Sequence, residues 1–423
     1  MRTHTPSVAL GHGKTEEIHR IEISPNGRIV DSRADARTRT ADHSLTRREL
    51  YQLSYVGNLC SVATDRCGIV GSMYDSLRVL VVSNMVPSLE VPQYGVFVMR
   101  QTAALEQAGC TVEVVGIEQR TTRLPGTLRK YARLRSQGAH AADRMQADVV
   151  LGHYLVPTAL ICRRVARSVG APYVLVAHGG DVGHLERSRP LRTAVRRAVF
   201  GAAAVVAVSS ELAARLTAVF PGLVVDVINT GVDRALFRPG TADLSAYGPA
   251  PSRPLVVQIG NLIERKNPER LAAAAERLFA EHGGGELWIA GTGPLAEQLE
   301  GLAHVRLLGS VRPEQVPVLL RGADVATLVA LSEGYGLGAL EATACGVPVV
   351  VSQTAPVARD LPATAAVQVD PYSEDAIFEG LRAALKLTRE DSAGQSTADA
   401  HADVVQARRL ADLLERVARS RAA

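Results

Sequence analysis

The chain has 423 residues, 47% apolar and only 4% aromatic, with a net charge of +4 from 47 basic and 43 acidic side chains. That length supports two ordinary hydrophobic cores, and a charge so nearly balanced argues against a nucleic-acid partner. No run approaches the roughly 20 apolar residues that span a bilayer, the polar N-terminus is no signal peptide, and five scattered cysteines without CxxC spacing suit a reducing cytosol.

Residues 1–76 are rich in Arg, Thr, Asp, Ser and His and lack sustained apolar periodicity. They read as mostly disordered or as an extension foreign to the fold, and Met73 is an alternative candidate start of translation. From Leu77 the pattern is α/β. Apolar strands are expected at 77–82, 111–115, 147–151, 173–177 and 204–208. Helices are expected between them at 97–108, 159–168 and 211–220. Short apolar strands alternating with helices imply a parallel sheet covered on both faces. The stretch 77–240 is therefore read as one Rossmann-like domain.

Within it, Arg120, Arg123, Arg129, Lys130, Arg133 and Arg135 crowd one segment, with Leu124, Leu128, Tyr131 and Leu134 at roughly helical spacing. Two readings stand: a basic amphipathic helix on an anionic membrane, or a solvated face of an Arg-rich protein. Only four basic residues of the chain are lysines, so scattered arginine carries little information.

Four prolines and two glycines in 239–254 mark a linker. A second α/β series follows, with strands expected at 255–259, 287–290, 305–308, 325–329, 347–351 and 366–369. Residues 255–390 are read as a second Rossmann-like domain facing the first across a cleft. Ligands of such sheets bind beyond the carboxyl ends of the strands. Residues 392–397 read as a flexible connection, and 391–423 ends in a helix over about 400–419.

The run Ser332-Glu333-Gly334-Tyr335-Gly336-Leu337-Gly338-Ala339-Leu340-Glu341 is the most informative. A Gly-rich loop lets backbone N–H groups approach an anion, and a carboxylate at each end can accept hydrogen bonds from sugar or ribose hydroxyls. Taken alone, a turn with a solvated Glu and a helical Glu is the simpler reading. Lys266 follows the first strand of the second series, where an ammonium suits a diphosphate as a point charge. His178 ends the strand at 173–177 beside Gly179-Gly180-Asp181. Gly95 precedes a helix N-terminus, and His153 ends another strand of the same sheet.

The run from Glu333 to Glu341 resembles the E-x7-E signature of the GT-B retaining glycosyltransferases of family 4. The continuation Ala342-Thr343-Ala344-Cys345-Gly346-Val347-Pro348-Val349-Val350 resembles that family's "EAMACGVPVV". The resemblance covers roughly residues 77–380. His178-Gly179-Gly180-Asp181 is similar to the "HGsD" element, Gly95-Val96-Phe97-Val98 to the "GiFv" loop, and Asn229-Thr230-Gly231-Val232-Asp233 to the "NGVD" turn. Ser209 matches the Ser that opens the preceding helix, Gly291-Thr292-Gly293-Pro294 the "GxGP" loop, and Leu308-Gly309-Ser310-Val311 the segment against the base. Six elements in the right order carry the likeness further than any one.

The resemblance implies a GT-B fold and transfer of a hexose-type sugar from a nucleotide diphosphate sugar, UDP- or GDP-linked, to an acceptor hydroxyl. The acceptor is a sugar, glycolipid or small molecule, and cell-surface polysaccharide synthesis is the nearest subgroup in appearance. No metal or other cofactor is implied. By position, Glu333 and His178 meet the donor sugar and Glu341 the ribose. Lys266 meets the diphosphate, and Gly336 and Leu337 join the donor side. Gly95, Asp181 and His153 fall on the acceptor side. The family's "GRL…KG" element keeps its Lys at Lys266, but Asn261 replaces its Arg, and Arg265 is the candidate to compensate. A non-catalytic sugar-nucleotide binder and another GT-B enzyme, an epimerase or phosphorylase, are the alternatives.

Overall fold

The computed structural model describes residues 21–23, 29–31, 77–88, 91, 94–118 and 124–420. The chain divides into two compact units, 1–53 and 54–423. In the first, β1 (Ile21–Ile23) pairs antiparallel with β2 (Ile29–Asp31), Ile21 opposite Asp31. Apart from that pair, the expectation of disorder over 1–76, and Met73 with it, fall outside the described residues.

In the second unit the chain runs β3 (Arg78–Ser83), α1 (Val96–Gln107), β4 (Thr111–Gly116), α2 (Leu124–Met145), β5 (Val149–His153) and α3 (Thr158–Val169). It continues through β6 (Tyr173–Ala177), α4 (Gly180–Arg187), α5 (Arg189–Val199), β7 (Ala204–Ala207), α6 (Ser210–Val219) and β8 (Asp226–Val227). These strands form a six-stranded sheet in the order β4-β3-β5-β6-β7-β8, every pair parallel.

The second series runs β9 (Leu255–Ile259), α7 (Pro268–His282), β10 (Glu286–Ala290), α8 (Ala296–Leu299), β11 (Val305–Gly309), α9 (Val316–Gly322) and β12 (Val325–Leu328). Then come α10 (Leu337–Ala344), β13 (Val349–Ser352), β14 (Ala366–Val369), α11 (Glu374–Ala384), α12 (Ser392–Ala400) and α13 (Asp403–Arg419). Its sheet has the order β11-β10-β9-β12-β13-β14, again all parallel. The strand order reverses at β3/β5 in one sheet and at β9/β12 in the other. A doubly wound sheet opens a crevice at that reversal, because the two crossovers leave in opposite directions.

The central strands are continuous apolar runs because helices cover both faces. All five residues of β5 and of β6 are buried. The expected strand at 147–151 lies two residues later, at Val149–His153, with Asp148 just before it holding Arg78 at the start of β3. Its carboxylate accepts from the Arg78 backbone N–H at 2.8 Å and from that guanidinium at 3.0 and 2.8 Å. That shift leaves His153 as the last residue of the strand.

Residues 392–397, expected to be a flexible connection, are instead the start of α12. Asp391 caps it by accepting from the Gly394 N–H at 2.7 Å. Gln395 donates to the Thr343 carbonyl at 2.8 Å and accepts from Arg234 at 2.9 Å. Small polar residues that lack an apolar stripe are helical here because a cap and tertiary hydrogen bonds replace it. Helix α13 then returns to pack on α1, with Leu410, Ala411 and Leu414 fully buried.

Arg120 and Arg123 of the basic segment lie outside the described residues; from Leu124 the segment is helical, but its apolar stripe does not stay outside. Leu134, Ala141 and Ala142 of α2 are buried against the first sheet and α3, whereas Leu128 is 72% exposed. Leu134→Ala is therefore expected to cost about 2–5 kcal/mol, and Leu128→Ala less than about 0.5 kcal/mol. Urea denaturation of the two variants checks this; equal losses would show that α2 is not docked through Leu134.

Candidate active site

The first sheet contributes its strand ends. β5 and β6 deliver His153 and His178 side by side, with His153 Nδ1 3.0 Å from His178 Nε2 and the rings stacked at 5.2 Å. The rings of Phe97 and Tyr154 close round His178 at 4.7 and 4.8 Å. Burial pushes the His153 imidazole down to about 3. Burial, and then His153, hold His178 well below its ordinary value. Both rings are therefore neutral at neutral pH, and one donates its N–H to the other. This arrangement leaves His178 to act by hydrogen bonding rather than as a fixed positive charge.

Asp181 sits beneath the same loop. Its carboxylate accepts from the backbone N–H groups of Leu155 at 2.9 Å, His178 at 3.2 Å, Gly179 at 3.0 Å and Val182 at 3.0 Å. It ties the end of β5 to the start of α4 and so fixes where His178 emerges. Gly95 enters α1 with φ 76°, and a Cβ there would come within 2.6 Å of the Met85 carbonyl oxygen. Only glycine accepts both the left-handed backbone and that approach. It sets the first turn of α1 against the loop after β3.

The second sheet contributes a charged group. Lys266, after β9, forms an ion pair with Glu333 in the loop after β12. Arg265 Nη1 donates to the Ser332 carbonyl at 2.7 Å and lies 3.5 Å from the Glu333 carboxylate. Arg265 thus turns into the loop rather than away from it. Asn261 is exposed beyond β9, its carbonyl accepting the Ile263 N–H at 3.0 Å. Gly336 precedes α10, whose first-turn amides, beginning at Leu337, have no acceptor within the helix.

The two loops touch. A Cβ on Gly334 would collide with the His178 carbonyl oxygen, and one on Gly179 would come within 3.0 Å of the Gly334 Cα. Ser209 caps α6 by accepting from the Leu212 N–H at 3.1 Å and donates its hydroxyl to the Gly334 carbonyl at 2.7 Å. Lys266, Arg265, Glu333, His178 and His153 are thereby gathered at the facing strand ends of both sheets.

Glu341 is placed differently. It lies on α10, is buried, and its Oε1 is 2.5 Å from Arg100 Nη1 on α1. Sequence reasoning missed Arg100. Its one signal is a charge three residues after Phe97 and four before buried Ala104, on a helix face that packs inward; in an Arg-rich chain this is inconspicuous.

Asp233 and Asp403 complete that corner. Burial first, and Asp233 second, push the Asp403 carboxyl up to about 7. A carboxyl raised in the folded state favours folding below its unfolded value and loses that contribution as pH rises through the folded one. The window runs from about pH 4 to about 7. Asp403→Asn, which keeps an acceptor for the Val404 N–H, is expected to gain stability over wild type across that window, reaching roughly 1–3 kcal/mol above it. Melting curves from pH 4 to 8 check this; a gain independent of pH would contradict the assignment.

Comparison with known proteins agrees with this geometry. The family model described as glycosyl transferases group 1 matches residues 239–398, and that of a glycosyl transferase 4-like domain matches 77–230. A GDP-mannose-dependent alpha-(1-6)-phosphatidylinositol monomannoside mannosyltransferase of Mycobacterium tuberculosis is 33% identical over 217 residues, 47% of this chain and 56% of its own. A putative teichuronic acid biosynthesis glycosyltransferase of Bacillus subtilis is 28% identical over 243 residues, 55% of this chain and 60% of its own. The chain spans about half the length of these curated relatives. Among solved structures, a sucrose-phosphate synthase from Thermosynechococcus elongatus superposes with a TM-score of 0.67 at 19% identity, over 81% of this chain and 99% of that one. Anabaena HepE, solved with UDP and glucose, gives 0.60 at 19% identity, over 80% and 99%. The fold is GT-B, and the chain belongs to the group 1 glycosyltransferases.

Proposed function

We propose that this chain transfers a hexose-type sugar from a nucleotide diphosphate sugar to an acceptor hydroxyl, with retention of configuration and without a required metal. The observation that carries the reading is the Lys266–Arg265–Glu333 group at the strand ends of the second sheet, in a loop that packs through Gly334 on the His178 backbone. Cations beside a helix N-terminus suit a diphosphate. A carboxylate beside them suits sugar hydroxyls.

As the bond from the sugar's anomeric carbon to the leaving phosphate oxygen breaks, negative charge grows on the diphosphate. Lys266, Arg265 and the first amides of α10 would meet it, and such preorganised charge costs no reorganisation at the moment of reaction. The acceptor hydroxyl attacks from the same face and gives its proton to the departing phosphate oxygen. Glu333 orients the sugar through its hydroxyls, and a neutral His178 adds a hydrogen bond. Asp181 and His153 hold His178 in place. Residues 77–240 would serve the acceptor, residues 255–390 the donor, and 391–423 would lock the two through α13. The mannosyltransferase relative is named for GDP-mannose and HepE was solved with UDP, so both bases stand as donors.

Release of free nucleotide from a panel of UDP-, GDP-, ADP- and dTDP-sugars, in EDTA with and without sugar acceptors, tests the reading. One donor is expected to be turned over, and Glu333→Gln to lower that rate by about 100-fold or more. Tight donor binding with no turnover under any condition would point to a binding protein. Phosphorolysis without a nucleotide donor would point to a phosphorylase.

A lipid-linked acceptor at the inner face of a cell membrane extends the proposal. Helix α2 turns Arg129, Arg133 and Arg135 outward while Leu134 is spent on the core, so contact would be electrostatic rather than by insertion. Flotation with anionic liposomes that high salt abolishes is the expected outcome. No flotation at low salt would remove this extension.

A further inference from the structure

The Arg100–Glu341 pair joins helices of opposite halves, 241 positions apart in sequence. Arg100 is 9% exposed and Glu341 8%. The guanidinium also lies over the Phe237 ring, 4.9 Å from its centre, so its plane is fixed by packing as well as by charge. Burial raises the Glu341 carboxyl, Asp233 raises it further, and Arg100 is the group that opposes both. The contact through Oε1 restricts where the other carboxylate oxygen can point.

We propose that Arg100 is a positioning residue for the donor nucleotide: without contacting it, Arg100 aims the Glu341 carboxylate at the ribose diol. The inference rests on the reading of Glu341 as the ribose contact. It makes donor recognition by the second sheet's half depend on a side chain of the first. Helix α1, which begins at Gly95 beside the proposed acceptor side, then carries on its next turn the residue that sets the donor glutamate.

The test measures affinity for UDP and GDP and for their 2′-deoxy forms by calorimetry, on the full chain. Wild type is expected to prefer the ribose form of its nucleotide by about tenfold or more, the size of one hydrogen bond to a charged group. Glu341→Gln should bring that ratio near one. Arg100→Met should do the same, and the double variant should go no further, because the two residues act as one unit. Arg100→Lys should keep part of the preference. Arg100→Gln replaces Arg100→Met if the latter does not fold.

A purely structural role for Arg100 would lower the melting temperature and leave the ribose preference intact. A preference lost in Glu341→Gln but kept in both Arg100→Met and Arg100→Gln overturns this inference and leaves the ribose reading standing. A wild type that does not distinguish ribose from deoxyribose overturns both, and binding of neither UDP nor GDP overturns this inference together with the UDP- or GDP-linked donor reading.

Discussion

The arrangement of the whole site depends on one steric contact, the loop after β12 lying against the loop after β6 with only hydrogen between their backbones. Gly334 packs on the His178 carbonyl and Gly179 on the Gly334 Cα, closer than a side chain would permit. Ser209 secures the contact from the first sheet by bonding the Gly334 carbonyl. Two doubly wound sheets can each present ligand-binding strand ends, but neither alone holds both the charged group and the histidine pair. The contact sets Glu333 one residue from the His178 loop, so that the residues proposed for the sugar come from both halves. A sheet that bound nucleotide perfectly well would lack His178 if these loops parted.

Burial then decides the charge state of the histidine pair. The histidines are held neutral among the rings of Phe97 and Tyr154, and Lys266 and Glu333 form one ion pair. Arg100 and Glu341 form a second, more buried pair between α1 and α10. A buried pair is weak evidence for stability, since desolvation of both partners offsets most of their attraction. Its retention is easier to explain by what it orients. The same corner holds Asp233 and Asp403, where the backbone of Gly231–Val232 crosses the start of α13 and Asp403 donates its N–H to the Val232 carbonyl at 2.9 Å. The C-terminal helix is thus anchored at the same junction that carries the Arg100–Glu341 pair.

Much of this was legible in the sequence. Central strands buried on both faces read as short apolar runs, so β6 and β9 fall where the sequence puts them; the edge strand β14 does too, and most others shift by one or two residues. Lys266 stands out because lysine is a choice against an Arg-rich background, and Gly95 and the Gly-rich run round Glu333 because they fall in loops that bring the backbone close to a ligand. What escaped reading is tertiary. Residues 392–397 have helix-neutral composition and become helical through the Asp391 cap and contacts to Thr343 and Arg234. The pairing of Arg100 with Glu341 spans most of the chain, and nothing local to either residue announces it. The histidine pair is similar: each strand end is visible, but their adjacency follows from β5 and β6 being neighbours in register, His153 beside Val176.

The most direct test of the central claim, that a nucleotide diphosphate lies at the facing strand ends of both sheets, is a crystal structure of this chain soaked with UDP and with GDP. The account predicts a diphosphate beyond β9, between Lys266 and the first turn of α10, with ribose hydroxyls on Glu341 and the β-phosphate facing His178. A nucleotide bound elsewhere, or a diphosphate whose charge is met by groups other than Lys266 and Arg265, would contradict it.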